Sequence, residues 1–194
     1  MIKLDFKKKF PEEIAELLFY GNGFIAGGAA LALYSNLSTD LINDYDIWFQ
    51  DRHSFNKTKA LLFSKLRKKT SVFNIFKQTD DIEFIETENA LTVEYKGFKI
   101  QLICKEFYPT VQDVLKDFDI SICQIGFNGV HWYASEEFLE SYTSKTCKII
   151  RESNTEDNIQ SNVRLLKYWI KGYEPINLNL ELLKNAPITF IGQY

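Results

Sequence analysis

The sequence predicts an α/β (α+β) domain in which a mixed sheet is flanked by helices, followed by a short helical C-terminal segment. Three observations support this prediction. Apolar runs of strand length alternate with segments of helical periodicity, two of these runs form a hairpin, and the composition of 45% hydrophobic and 25% charged residues is that of a globular protein. We expect the main domain to span residues 1–150 and the helical segment, packed on it, residues 151–194.

The first half of the chain alternates helices with strands. Pro11 marks a helix start, because proline suits the first turn and the following Glu12 and Glu13 suit the positive end of the helix dipole. The elements predicted here are helices at Pro11–Phe19, Ala29–Tyr34 and Ser54–Lys69, and strands at Phe24–Ala26, Asp44–Phe49, Val72–Phe76 and Ile82–Ile85.

The clearest hairpin lies in the middle of the chain. Lys96-Gly97 separates the alternating runs Leu91–Tyr95 and Phe98–Ile103, and glycine in the second place of a two-residue turn is typical of hairpins. The second run is apolar at every other position, so Gln101 should point to the open face of the sheet. The later predicted elements are a strand at Ile120–Phe127 and helices at Thr110–Lys116, Glu136–Tyr142 and Asn158–Lys171.

Charge and cysteine content restrict the function. The formal net charge of −3 provides no global basic field, so binding to long nucleic acid is not favoured. Cys104, Cys123 and Cys147 form no metal-binding or redox motif, and their odd number favours a reducing compartment. No apolar run approaches the length of a membrane span, and the N-terminus lacks a signal-like segment. We therefore expect a cytoplasmic protein that does not contact membranes.

Two short motifs together predict a nucleotide site. Gly27-Gly28 follows a strand and begins a helix, where unpaired N–H groups favour phosphate and the missing Cβ lets the backbone approach a ligand. Further along, Asp44 and Asp46 occupy alternate strand positions, which places both carboxylates on one face about 7 Å apart. Such a pair suits Mg²⁺ ions that hold a triphosphate and activate an attacking hydroxyl. Either motif alone is common; their order along the chain is specific.

These motifs resemble the signature of nucleotidyltransferases of the DNA polymerase beta superfamily. The segments Phe24–Leu31 and Asn43–Phe49 are similar to the Gly-Gly and Asp-x-Asp elements of tRNA nucleotidyltransferases and bacterial poly(A) polymerases. Asp119–Cys123 resembles their Asp-Phe-Thr-Ile-Asn segment, and Arg164–Tyr173 the Arg-rich helix after it. Small nucleotidyltransferase-like proteins of phages and large viruses look more similar still, which would place the chain in the host cytoplasm. The resemblance covers roughly residues 20 to 173.

The resemblance implies transfer of a nucleoside monophosphate from an NTP, such as ATP, to a hydroxyl of an RNA end, a protein or a small molecule. Mg²⁺ would occupy a two-metal site or arrive with the NTP. The implied catalytic and metal-binding residues are Asp44 and Asp46, and the strand alternation makes Gln101 the candidate third metal ligand. The implied nucleotide-binding residues are Gly27, Gly28, Asp119, Arg164 and Lys167.

Two departures from the family pattern keep other functions open. The Arg-Asp that normally follows the Gly-Gly is absent, and the helix continues Ala29-Ala30-Leu31-Ala32. A third carboxylate is expected on a strand antiparallel to the Asp-x-Asp strand, where the hairpin offers Gln101; Glu94 on the partner strand is the alternative. A degenerate fold that only binds a nucleotide or a protein partner is therefore the second hypothesis, and a purely structural phage or viral protein the third.

Overall fold

The computed structural model describes residues 1–5, 10–36, 42–70, 84–151 and 154–184. Within these ranges the strands are β1 (Ile2–Leu4), β2 (Gly23–Ala26), β3 (Tyr45–Phe49), β4 (Phe84–Glu86), β5 (Ala90–Tyr95), β6 (Phe98–Ile103), β7 (Ile125–Phe127), β8 (Trp132–Ala134), β9 (Thr146–Cys147) and β10 (Glu174–Pro175). The helices are α1 (Glu12–Gly21), α2 (Gly28–Tyr34), α3 (Arg52–Thr70), α4 (Val111–Asp117), α5 (Glu136–Ser144), α6 (Thr155–Ile170) and α7 (Leu180–Lys184), with a 3₁₀ helix at Ser121–Cys123. None of these described helices is long and apolar enough to cross a membrane.

Eight of these strands form one mixed sheet in the order β1-β8-β7-β2-β3-β6-β5-β4. Within it, β3 and β6 are parallel, and the other neighbouring strands are antiparallel. The strands β9 and β10 form a separate parallel pair. The predicted mixed sheet flanked by helices is confirmed.

One face of the sheet forms the main core. Ile25, Ile47, Ile100 and Leu102 are fully buried at alternate positions of β2, β3 and β6, because the side chains of a strand alternate between its two faces. The helices α1 and α3 pack against these strands and against each other. The opposite face is covered in part by α4, which buries Phe24 and Ala26 of β2.

The predicted hairpin of β5 and β6 is confirmed. Lys96 and Gly97 both have positive φ, at 52° and 79°, as a two-residue turn of the type I′ family requires. The register pairs Tyr95 with Phe98 and Thr92 with Gln101. This hairpin therefore extends the sheet beyond β3 without changing which face is apolar.

The predicted strand at Ile120–Phe127 is wrong over its first half, where Ser121–Cys123 forms the 3₁₀ helix. The hydroxyl groups of Ser121 and Ser141 form a hydrogen bond of 2.7 Å, and the Ser121 backbone N–H donates to the Lys148 carbonyl. These partners are distant in sequence, and they hold the segment out of the sheet until β7 begins. The strand predicted at Val72–Phe76 and the start of the one at Ile82–Ile85 lie outside the described residues.

The C-terminal helix α6 packs into the same core as the sheet. It begins at Thr155, earlier than predicted, because the Asn154 side chain caps it by accepting from the Asp157 N–H. Its residues Leu165 and Tyr168 are 0% and 4% exposed and belong to the main hydrophobic cluster. The boundary at residues 150 and 151 stays a prediction.

Candidate functional site

The acidic pair lies at the start of β3, on the face opposite the main core. Tyr45, Ile47 and Phe49 point into that core, so alternation turns Asp46 to the other side. Asp44 directly precedes the strand, and both carboxylates are half-buried. The structure therefore brings the two acids predicted from the sequence to one end of one strand.

The ionised form of Asp46 is disfavoured by its surroundings despite two nearby lysines. The pKa of Asp46 is raised from 3.8 to about 7, first by burial and then by the neighbouring Asp44 carboxylate, whereas Lys167 and Lys99 act in the opposite direction. Burial and a nearby like charge both disfavour the ionised form of a carboxyl group. A cation bound between the acids would relieve both effects.

Gln101 lies directly beside Asp46. The register of β3 and β6 pairs Asp46 with Gln101, and Glu94 lies one strand further out, opposite Lys99. The expectation that Gln101 lies on a strand antiparallel to the Asp-x-Asp strand is wrong, because β6 runs parallel to β3 and the antiparallel neighbour of β3 is β2. The chain passes through α3 before it enters the hairpin. The role of Gln101 as a metal ligand stays a prediction.

The two glycines join β2 to α2, close to α6. Gly27 has a positive φ of 77° and is the N-cap of α2, which has no side-chain cap. The first N–H groups of a helix have no intrahelical acceptor, so this end can receive an acceptor from a ligand. A Cβ on Gly28 would lie 3.5 Å from the Tyr168 hydroxyl oxygen. The glycine turn therefore faces the helix that carries the predicted basic residues.

Asp119 and Arg164, both predicted to contact the nucleotide, bind each other. The Arg164 guanidinium lies 2.7 Å from the Asp119 carboxylate, which also accepts a hydrogen bond from the Ser161 hydroxyl. Lys167, one turn further along α6, interacts electrostatically with Asp46. The ion pair fixes α6 beside the segment that contains Asp119; nucleotide contact by these three residues remains a prediction.

Sequence reasoning missed Tyr168 of the same helix and Lys171, which directly follows it. Tyr168 is buried, forms a hydrogen bond with Cys123 and lies within electrostatic range of Asp46. Burial lowers the pKa of Lys171, which lies near Lys167 and interacts with Asp44. Both residues follow Arg164 and Lys167 at i, i+4 spacing, which places them on the same helix face. This spacing is the signal that could have identified them.

The donor set of the acidic pair fits Mg²⁺. Two carboxylates and the amide oxygen of Gln101 are oxygen donors, and Mg²⁺ is held in proteins by one or two carboxylates together with substrate phosphates. Within the described residues there is no group of three or more His, Cys, Asp or Glu side chains placed to hold a metal. The pair thus matches a metal that arrives with a triphosphate better than a fully protein-ligated one.

Solved structures at low sequence identity identify the fold. A tRNA-processing enzyme in an apo form superposes with a TM-score of 0.66 at 15% identity, over 96% of this chain and 52% of that one. A CCA-adding enzyme in complex with CTP gives 0.60 at 11% identity, over 92% and 43%. The Thermotoga maritima CCA-adding enzyme complexed with tRNA gives 0.58 at 11% identity, over 92% and 42%. The chain therefore has the nucleotidyltransferase fold.

Sequence comparison identifies the family. The profile of the Gabija anti-defense 2 family protein, Gad2, matches residues 3–145, and the chain belongs to this family. Gabija anti-defense 2 of Bacillus phage SPbetaL7 is 27% identical over 164 residues, which make up 84% of this chain and 36% of that protein. The chain thus spans little more than a third of the length of this curated relative.

Proposed function

We propose that this chain acts against the Gabija defence in the host cytoplasm, and that its chemistry is metal-dependent transfer of a nucleoside monophosphate from an NTP to a hydroxyl acceptor. The observation that carries the proposal is the acidic pair, where a raised Asp46 pKa marks two crowded carboxylates that a divalent cation would compensate. The family name supports a role against the Gabija defence. The fold, which resembles that of CCA-adding enzymes, supports nucleotidyl transfer.

Each residue of the site would have a distinct role. Asp44 and Asp46 would hold Mg²⁺, and Gln101 would add a neutral oxygen beside them. When bound, the metal neutralises phosphate charge and activates the attacking hydroxyl. Gly27 and Gly28 would let backbone N–H groups approach the phosphates, and Lys167 would add positive charge opposite Asp46. No side-chain nucleophile is needed, since positioning and charge neutralisation account for most phosphoryl-transfer catalysis.

The acceptor is an RNA end, a protein side chain or a small molecule. Of these, a long RNA is the least favoured, because the net charge of −3 provides no extended basic surface.

A second function is favoured by the two departures from the family pattern. Gln101 is neutral where related enzymes place an acid, and Leu31-Ala32 replaces Arg-Asp on α2. A site with fewer charges would bind a nucleotide, or a protein partner, without turnover. In that case the fold would serve the counter-defence by binding alone.

The two functions are separated by an assay of pyrophosphate release with Mg²⁺ and each labelled NTP, with RNA, protein or small-molecule acceptors. We expect release by the wild type and its loss in Asp44→Asn/Asp46→Asn. The matched control is Asp117→Asn, which removes an exposed acid paired with Arg151 at 2.9 Å. NTP binding without release from any acceptor would support the binding function. Release that persists in the double variant would reject the proposed site.

A further inference from the structure

A cavity of about 270 Å³ lies beside the glycine turn, and neither Asp44 nor Asp46 lines it. Its walls come from α2, the end of α5 and the chain that follows α6, and they include Gly28, Leu31, Tyr142, Lys145, Lys171 and Tyr173. Two lysines line it, and none of the residues lining it is a carboxylate. The cavity therefore has the charge of an anion site.

Lys145 is held in place by its backbone and by two aromatic rings. It ends α5 in the left-handed conformation, with φ of 57°, and its carbonyl accepts a hydrogen bond of 2.8 Å from the Glu174 N–H. Its ammonium group lies 4.5 Å from the ring centroid of Tyr142 and 5.2 Å from that of Tyr173. Contact with ring faces stabilises a cation and leaves its N–H donors available to an acceptor.

Lys171 supplies the second charge. Its ammonium group lies 5.6 Å from the Tyr168 ring centroid, and burial and Lys167 both lower its pKa. Across the described part of the chain, the ion pairs formed with carboxylates involve neither Lys171 nor Lys145. Both lysine side chains are exposed, so an anion that enters the cavity can reach their N–H donors.

The position of the cavity relates it to the acidic pair. Gly28 belongs both to the cavity wall and to the glycine turn, and Lys171 interacts with Asp44. Leu31 and Ala32, which stand where the family pattern has Arg-Asp, also line the cavity. The positive charge in this space therefore comes from the lysines that follow α5 and α6 and not from α2.

We propose that this cavity binds a polyphosphate chain, with Lys145 and Lys171 as its cationic contacts. Pockets for whole drug-sized ligands have volumes of roughly 300–1,000 Å³, so a cavity of about 270 Å³ suits the phosphate portion of a nucleotide better than the whole molecule. The assignment of that chain to an NTP rests on the proposed function. A free inorganic polyphosphate has the same chemistry and could occupy the same cavity.

The test is calorimetric titration of the full chain with inorganic tripolyphosphate in the presence of a chelator. We expect the wild type to bind and Lys145→Met/Lys171→Met to bind at least about tenfold more weakly. Lys96→Met/Lys116→Met removes the same charge from exposed lysines paired with Glu13 and Asp113, and should bind like the wild type. Lys145→Arg/Lys171→Arg, which keeps both charges, should retain binding.

Three results would overturn the cavity assignment: no binding by the wild type, equal binding by the two methionine double variants, or loss of binding in the arginine variant while it stays folded. If the Lys145→Met/Lys171→Met variant does not fold, the single variants Lys145→Met and Lys171→Met decide. Each should bind tripolyphosphate more weakly than the wild type. Wild-type affinity in either folded single variant would contradict the proposal.

The cavity assignment and the proposed function can fail separately. Asp44→Asn/Asp46→Asn should retain tripolyphosphate binding without divalent ions, because it leaves both lysines in place. Lysine-dependent binding without pyrophosphate release by the wild type would reject only the enzymatic function. Pyrophosphate release with lysine-independent tripolyphosphate binding would reject only the cavity assignment. Comparing each NTP with tripolyphosphate then distinguishes a nucleotide from a free polyphosphate.

Discussion

The two faces of β3 differ in polarity and in their contribution to stability. Tyr45, Ile47 and Phe49, at 1%, 0% and 0% exposure, pack under α1 and α3 in an apolar core. On the other face, the half-buried Asp46 lies beside a second acid and a neutral amide, and burial and the Asp44 carboxylate raise its pKa to about 7. One strand therefore combines residues that stabilise the fold with a residue that the fold holds at a cost. Substitutions on the two faces should have opposite effects on stability.

The largest expected effect is on the apolar face. Ile47→Ala removes buried methyl groups from the centre of the core and should lower the free energy of unfolding by about 2–5 kcal/mol. Urea denaturation measures this change. Glu94→Ala, at an exposed position of the neighbouring hairpin, should change stability by no more than about 0.5 kcal/mol. Equal losses of unfolding free energy in the two variants would contradict the assignment of Ile47 to the stabilising core.

On the acidic face, the comparison predicts a pH dependence. Because the folded pKa of Asp46, about 7, exceeds the ordinary value of 3.8, the folded state binds this proton more tightly than the unfolded state. The stabilisation that this proton provides is fully present below about pH 4 and is lost as the pH rises through about 7. Relative to Asp46→Asn, the wild type should lose about 2–4 kcal/mol over this range. If the free energies of unfolding of the two proteins change in parallel with pH, the folded state does not raise the pKa of Asp46.

The glycine turn should affect binding with little effect on stability. A Cβ at Gly28 would make ordinary contact with the Tyr168 hydroxyl, at 3.5 Å, but the two methyl groups of valine would occupy the space beside the start of α2. We expect Gly28→Val to weaken NTP affinity about tenfold and to remain folded. Gly28→Ala is the matched control and should keep affinity within roughly twofold. Unchanged NTP affinity in a folded valine variant would show that Gly28 does not belong to the phosphate site.

The smallest expected effect comes from Gln101→Asp, which places a third carboxylate beside Asp46. Without NTP, the affinity for Mg²⁺ should rise by about three- to tenfold, because a charged oxygen replaces a neutral one. Gln50→Asp, at an exposed position after β3, adds the same charge outside the site and should leave the affinity unchanged. An equal increase in both variants would attribute the effect to net charge alone.

Local patterns were enough to predict the elements that place the acids. The alternation of β3 and β6 and the Lys96-Gly97 turn are properties of neighbouring residues, and they led to Asp46 and Gln101 on one face.

Features that depend on distant partners could not be predicted in this way. The 3₁₀ helix at Ser121–Cys123 depends on hydrogen bonds to α5 and to Lys148. The parallel direction of β6 depends on the return of the chain through α3. Lys145 and Lys171 meet at the cavity only because α5 and α6 pack near each other through β9 and β10. Each of these features is set by tertiary packing, which no local spacing encodes.

The central claim is that the polar face of β3 is a site for a metal-bound nucleotide. Calorimetric titration of each NTP, with and without Mg²⁺, into the wild type, Asp44→Asn/Asp46→Asn and the Asp117→Asn control tests it most directly. We predict that Mg²⁺ tightens binding of at least one NTP to the wild type and the control, and that this gain is lost in the double variant. The same Mg²⁺-dependent affinity in all three proteins would contradict the claim.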